Sequence, residues 1–280
     1  MGIKSLGIDI SDGCITGVVL EQQRKAPVLI SRLNLPLPEG ADCAAVIRDV
    51  CAQLEWREGV CVCGLPFSML SVRNLILPFN DVKKIAQALP FELEEQLIVP
   101  LDAVTYDFCP SRRTDQGSLI VAFAVEKELL GGLLEALQGA ADPDAATPAM
   151  AALADQISAR SRDGGNFLVA HADLHSTTMA FVVDKVPIFY RRLSHPEQMI
   201  LHPPFVFVDG EATVVNAEAA EECVRLLSQA IGRSLDYFRT ESREQEPPER
   251  VLLAGPLAGV EGMADILASS LGLPVEMVDL

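Results

Sequence analysis

The chain opens on Ser5-Leu6-Gly7-Ile8-Asp9-Ile10, followed by the polar turn Ser11-Asp12-Gly13 and the apolar run Cys14 to Leu20. This reads as a strand, an Asp-bearing turn and a second strand, with a third strand from Pro27 to Leu33 after the loop Gln22-Gln23-Arg24-Lys25. The pattern restarts after Gly164-Gly165: Phe167 to Ala172, a polar turn from Asp173 to Thr177, Thr178 to Val183, the turn Asp184-Lys185, and Pro187 to Arg192. Two copies of strand, polar turn, strand, strand predict two related α/β halves.

Between and after the copies, helical periodicity alternates with buried-strand runs. Ala44 to Leu54 places Val46, Ile47, Val50, Cys51 and Leu54 on one helical face, and a strand follows at Val60 to Gly64. Asn80 and Asp81 cap a segment with Val82, Ile85, Ala86 and Leu89 in register, which Pro90 is expected to end or kink. A strand at Ser118 to Val125 precedes helices at Lys127 to Leu137 and Pro148 to Ile157. The second half continues with a strand near Phe205 to Asp209 and a long helix from Ala217 to Arg239. That helix carries a core stripe of Cys223, Leu226, Leu227, Ala230, Ile231, Leu235 and Phe238. A strand from Arg250 to Ala254, the turn Gly255-Pro256, a helix from Val260 to Ser270 and a strand from Leu273 to Val278 complete it.

Composition narrows the function. Thirty-nine acids against 22 bases give a net charge of −17, which repels nucleic-acid backbones and anionic lipid surfaces alike. The nearest basic features, Arg112-Arg113 and Arg191-Arg192, are single dipeptides, so nucleic acid is excluded as a partner. The longest clean apolar stretch, Leu119 to Val125, is far shorter than the roughly 20 residues of a spanning helix. The N-terminus runs into a strand with neither a long apolar segment nor a small-residue cleavage site, so a cytoplasmic chain is expected.

The seven cysteines, at 14, 43, 51, 61, 63, 109 and 223, form no CxxC pair, and most read as small buried hydrophobes. The four histidines, at 171, 175, 195 and 202, have no ligand spacing, and no metal site is expected. HExxH, GxSxG and GxxxxGK[ST] motifs are all absent from the sequence.

Gly7-Ile8-Asp9-Ile10-Ser11, Cys63-Gly64-Leu65-Pro66, Leu77-Pro78-Phe79, Phe91-Glu92-Leu93-Glu94, Arg233-Ser234-Leu235-Asp236-Tyr237-Phe238 and Leu253-Ala254-Gly255 occur in this order. Together they resemble the PilM proteins of type IV pilus assembly and the cytoplasmic domain of the GspL proteins of type II secretion. The resemblance covers nearly the whole chain. It implies an actin-like (ribonuclease H-like) ATPase fold with two α/β halves around a cleft, residues 1–163 and 164–280, and a smaller α/β subdomain inserted at about 71–140. Because the chain stops at Leu280, at the end of the second half, a GspL-like cytoplasmic domain is favoured. GspL proteins continue through one membrane helix, so membrane attachment would come only through a segment beyond this chain. The expected location is the cytoplasmic face of the bacterial inner membrane.

The same resemblance marks a nucleotide cleft. Active members carry Asp-Ile-Gly and small hydroxyl residues at the first turn, since glycine lets backbone N–H groups approach phosphate closely. Here Ser11 replaces that glycine, Asp12 puts a carboxylate where phosphate would sit, and Gly13 follows. At the second turn Asp173 matches a metal-associated carboxylate, His175 takes the glycine position, and Ser176 follows. At the third, Gly255 remains of a paired glycine, and Pro256 removes a donor. Asp9, Ser11, Asp12, Gly13, Asp173, His175, Ser176 and Gly255 therefore read as a vestigial nucleotide site, with no catalytic residue, no metal and no resident cofactor; ATP with Mg²⁺ is doubtful.

The first functional reading is a silent adaptor docking a GspE-like secretion ATPase, with GspM- and GspF-like platform proteins as further contacts and homodimerisation open. The exposed acids Glu92, Glu94 and Glu95 are the candidate docking face for a basic partner. The alternatives are a PilM-like adaptor that binds ATP and the N-terminal peptide of PilN, and an active ATPase or sugar kinase.

Overall fold

The computed structural model describes the chain except residues 1, 12, 25, 39, 162–163, 198–199, 201–202, 209–210, 242–245 and 279–280. Asp12, a candidate site residue, lies outside the described residues, as do Lys25, His202 and Asp209. Contacts divide the chain into two units: Met1–Ser71 with Asp81–Phe108 and Ala122–Ala152, and Val72–Asn80 with Cys109–Val121 and Leu153–Leu280.

The first unit is built on β1 (Lys4–Ser11), β2 (Cys14–Gln22), β3 (Pro27–Pro36), β4 (Val60–Leu65) and β8 (Ala145–Pro148), in the order β3-β2-β1-β4-β8. β1, β2 and β3 are antiparallel neighbours, and β4 and β8 run parallel to β1. Alternation along β1 and β2 puts Leu6, Ile8, Ile15 and Val19 on one face, where they are buried with Ile47 and Val50 of α1 (Cys43–Gln53) and Leu137 of α3 (Lys127–Leu137). Burying each such side chain is worth roughly 1.5–3 kcal/mol. Asp42 starts α1 by accepting the Ala44 N–H at 3.0 Å.

β5 (Leu70–Leu77), β6 (Val104–Thr114) and β7 (Gly117–Glu126) form a three-stranded sheet in the order β5-β7-β6. α2 (Val82–Gln96) is capped by Asp81, which accepts the Lys84 N–H at 3.1 Å, and it continues through Pro90 instead of ending there. Ile85, Leu89 and Leu93 bury one face on both sides of the proline. That burial outweighs the single intrahelical bond Pro90 cannot make.

The second unit repeats the first. β9 (Phe167–Ala172), β10 (Ser176–Val183), β11 (Val186–Ser194), β14 (Arg250–Ala254) and β15 (Val275–Met277) are ordered β11-β10-β9-β14-β15. The strand senses match: two antiparallel hairpins, then two parallel neighbours. The expected pair of related halves is borne out strand for strand. One face of this sheet packs under α4's successor, the long α5 (Ala217–Glu241), and α6 (Met263–Leu271), α4 itself being Ala149–Arg160. Cys223, Leu227, Ile231, Leu235 and Phe238 of α5 are buried. Phe238 stacks on Phe181 with centroids 4.5 Å apart, and Phe189 meets Phe181 edge-on at 5.3 Å. β12 (Phe205–Val208) and β13 (Glu211–Val214) form a separate hairpin.

Among the described residues, no helix is long and apolar enough to cross a membrane.

Candidate functional site

In the first unit, the β1–β2 hairpin positions the first candidate turn. Ser11 is paired with Cys14, and Gly13 takes a positive φ of 89°. The Ser11 hydroxyl lies 3.1 Å from the Cys14 sulfur and donates to the Cys14 carbonyl at 3.5 Å. Its polar capacity is thus directed across the hairpin. Asp9 stands opposite Gly64 in the parallel β1–β4 ladder. A Cβ on Gly64 would come within 2.8 Å of Asp9 Oδ1, so the glycine leaves room for that carboxylate. The carboxylate also adds to the forces on the nearby Cys63 thiol, which burial foremost, then Cys61, Asp9 and Cys43, push up to about 12. Cys61 is held up at about 11, again mainly by burial. Both thiols are therefore protonated and unreactive at neutral pH.

In the second unit, the turn between β9 and β10 is closed by the chain's own groups. Asp173 N–H donates to the Ser176 carbonyl at 2.9 Å, and Leu174 N–H donates to Asp173 Oδ1 at 2.9 Å. The buried His195, just past β11, grips the same turn. Its backbone N–H donates to the His175 carbonyl at 2.8 Å. Its Nδ1 lies 3.0 Å from the Leu174 carbonyl, and its Nε2 lies 2.9 Å from Thr177 Oγ1. A carbonyl only accepts, so Nδ1 carries a proton, while Nε2 pairs with the Thr177 hydroxyl, which can donate or accept. Asp173 and Ser176 are buried, and the His175 side chain is exposed.

Gly255, after β14, joins this cluster through β9. Its φ is 91°, and a Cβ there would lie 2.6 Å from the Ala172 carbonyl oxygen. The glycine is required by the close approach of the two backbones. Pro256 opens a short 3-10 turn to Gly259, and Ala258 N–H donates to the Gly255 carbonyl at 3.0 Å. The structure thus gathers Asp9, Ser11 and Gly13 in one unit, and Asp173, His175, Ser176 and Gly255 in the other.

No family model and no curated protein sequence matches the chain. Solved structures do. A PilM–PilN type IV pilus biogenesis complex is similar over 98% of this chain and 88% of that one, at 22% identity and a TM-score of 0.77. A protein from Bacteroides thetaiotaomicron described as having an actin-like ATPase fold and unknown function is similar over 99% and 91%, at 10% identity and a TM-score of 0.57.

The chain has the actin-like ATPase fold.

The cytoplasmic domain of EpsL, an inner-membrane component of the type II secretion system of Vibrio cholerae, is also similar, over 99% of this chain and 86% of that one, at 13% identity and a TM-score of 0.56. Within this actin-like frame, the stretch Arg233 to Phe238 is used for packing. Ser234 donates to the Ala230 carbonyl at 2.9 Å, Leu235 and Phe238 are buried, and the Arg191 guanidinium lies 5.0 Å from the Tyr237 ring centroid. Arg233, Asp236 and Arg239 line a depression of about 410 Å³ between α5 and α6, where Asp236 and Arg239 pair at 3.1 Å.

Glu92, Glu94 and Glu95 are exposed on α2, with Phe91 beside them 72% exposed. Among the described residues, no three His, Cys, Asp or Glu side chains converge in a metal-binding arrangement. Sequence reasoning missed His195, whose backbone N–H and both ring nitrogens meet the second turn. Its only sequence signal is its place just past the third strand of the second copy.

Proposed function

We propose that this chain is a catalytically silent actin-fold adaptor of a pilus or secretion machine, working at the cytoplasmic face of the inner membrane. The observation that carries the reading is the similarity to a PilM–PilN pilus biogenesis complex over nearly the whole chain. It favours a PilN-like membrane protein, through its N-terminal peptide, as the partner. The similarity to the EpsL cytoplasmic domain supports a second reading, in which a GspE-like ATPase docks, with GspM- and GspF-like platform proteins nearby.

The turn geometry supports silence. A nucleotide needs backbone donors free to meet phosphate. Leu174 N–H is already given to Asp173, the exposed His175 holds the place where the resemblance puts a glycine, and Pro256 has no N–H to give. Ser11, turned to Cys14, adds side-chain bulk at the first turn. These residues do not fit ATP with Mg²⁺, and no hydrolytic step is assigned to them.

Calorimetric titration with Mg-ATP, together with a melting curve, tests this. A ligand of the native state at 100 times its Kd adds roughly 2.7 kcal/mol of stability. Neither heat nor a melting shift is expected; saturable binding with turnover would overturn the silent reading. Parallel titrations with a PilN-type N-terminal peptide and a GspE-type N-terminal region discriminate the two systems.

A further inference from the structure

Three features of the first unit converge on the outer edge of β3. The first is an open ladder. β3 is the terminal strand of its sheet and, among the described residues, pairs only with β2. Along its ten residues, no hydrogen bond to the outward N–H and C=O groups forms among the described residues. The other sheet treats its terminal strand β11 differently: the Asn74 side chain bonds both backbone groups of Tyr190 there.

The second feature is a bulge. Leu20 faces Leu29 and Val19 faces Ser31, which leaves Ile30 as the extra residue. Val28, Leu29 and Ile30 are 40%, 53% and 48% exposed, an apolar run on an unpaired edge.

The third is a cavity of about 760 Å³ beside the bulge, walled by Ile30, Leu54 and Trp56. Its size falls in the range that seats a bulky ligand group. Among its charged lining residues, Glu21, Glu55 and Glu58 outnumber Lys4 and Arg57.

We propose that the β3 edge and this cavity form a docking site for an extended segment of another protein. The segment adds a strand to the five-stranded sheet and seats one large apolar side chain in the cavity, with Lys or Arg flanking it. Backbone bonds along an edge supply affinity and a side-chain pocket supplies selectivity, the division of labour in strand addition. Charge fixes the occupant: a chain of net charge −17, with carboxylates in excess at the cavity, attracts a basic segment and repels a second copy of itself. No residue of the candidate nucleotide turns takes part, so the site stands or falls independently of the silent-adaptor reading.

Trp56 is the chain's single tryptophan, so tryptophan emission, excited beyond tyrosine absorption, reports this cavity alone. The probes are peptides of about ten residues, alternating Thr and Val, with Lys at both ends and Leu, Ile, Phe or Met at the centre. At least one is expected to shift the emission saturably to the blue, and raised salt is expected to weaken it. N-methylation of alternate peptide nitrogens along one edge is expected to weaken binding roughly tenfold or more, as is Ile30→Glu. Failure of the whole set, or N-methylated peptides that bind as tightly as their parents, overturns the proposal. So does a dimer in sedimentation equilibrium that shifts Trp56 emission without peptide, since the occupant is then a second copy. The N-methylated probes leave the protein unaltered, so a folding defect in Ile30→Glu cannot mask the result.

Discussion

The side-chain amide of Asn74 on β5 exchanges two hydrogen bonds with the backbone of Tyr190 on β11: Nδ2 donates to the Tyr190 carbonyl at 3.0 Å, and Oδ1 accepts the Tyr190 N–H at 3.0 Å. One side chain thus satisfies an edge strand as a neighbouring strand would, across 116 positions of sequence. Asn74→Ala leaves both Tyr190 groups without their partner in a half-buried setting. A loss of about 1–3 kcal/mol is expected in urea unfolding. Asn74→Asp is expected to cost at least as much, because a carboxylate faces the carbonyl and cannot donate to it. Unchanged midpoints in both variants would show that the pairing contributes nothing to stability.

Gly255 tests whether a motif glycine serves nucleotide or fold. Its φ of 91° and the 2.6 Å approach of the Ala172 carbonyl to any Cβ predict that Gly255→Ala loses about 1–3 kcal/mol from backbone strain alone, with steric overlap added. Gly259, four residues on, has nothing within 4 Å of a Cβ position. Gly259→Ala should stay within about 0.5 kcal/mol of the parent. Equal effects in chemical denaturation would contradict the packing role of Gly255.

The two halves were legible because their strands carry period-two patterns on either side of Asp-bearing turns, and those patterns repeat. The spacing that placed Val46, Ile47 and Val50 on one helical face also held. β5 and β6 were not read as strands, since neither Val72 to Leu77 nor Tyr106 to Arg113 keeps a clean alternation. Pro90 reads as an end or a kink because sequence shows the missing N–H, not the burial of Leu89 and Leu93 that carries α2 past it. The turn residues were found from resemblance, but the bonds that close the second turn were not. Leu174 N–H meeting Asp173 is a local turn of side chain onto the next residue, whereas His195 reaching Leu174 and Thr177 depends on where β11 ends relative to β9.

The buried thiols give a pH dependence with a defined sign. Burial foremost raises Cys63 and Cys223 to about 12, above an ordinary value of 9.0. The folded state therefore holds these protons more tightly than the unfolded chain. Their contribution is full below about pH 9 and is lost as pH climbs from 9 toward 12. The melting temperature should fall over that window, and Cys63→Ala, although less stable at pH 8, should fall less steeply. With a thiol reagent at pH 8, the exposed Cys109 is expected to react at once, and Cys61, Cys63 and Cys223 only after denaturation.

Asp9 separates a working first turn from a silent one. Its carboxylate fills the space over Gly64, so Asp9→Ala removes a charge beside Cys63 without disturbing the helix-facing side chains Leu6 and Ile8. Binding to a PilN-type peptide or a GspE-type region is expected to stay within a factor of about two. A large loss of affinity with an unchanged circular dichroism spectrum would mean that the first turn communicates with the docking surface.

Glu92, Glu94 and Glu95 offer the complementary test, since exposed charges act mainly on encounter and on salt dependence. All three are exposed on α2, whose other face is fixed by Ile85, Leu89 and Leu93. Reversing them to Lys therefore changes six units of charge at little cost to the fold. If a basic partner docks there, its association rate should drop by about tenfold or more at low salt, and the slope of affinity against salt should flatten. Phe91, 72% exposed beside them, supplies the apolar control: Phe91→Ala should raise the dissociation rate and leave the salt slope unchanged. Stopped-flow association and salt titration read both effects, and a triple variant with parental rate and slope removes α2 as the docking face.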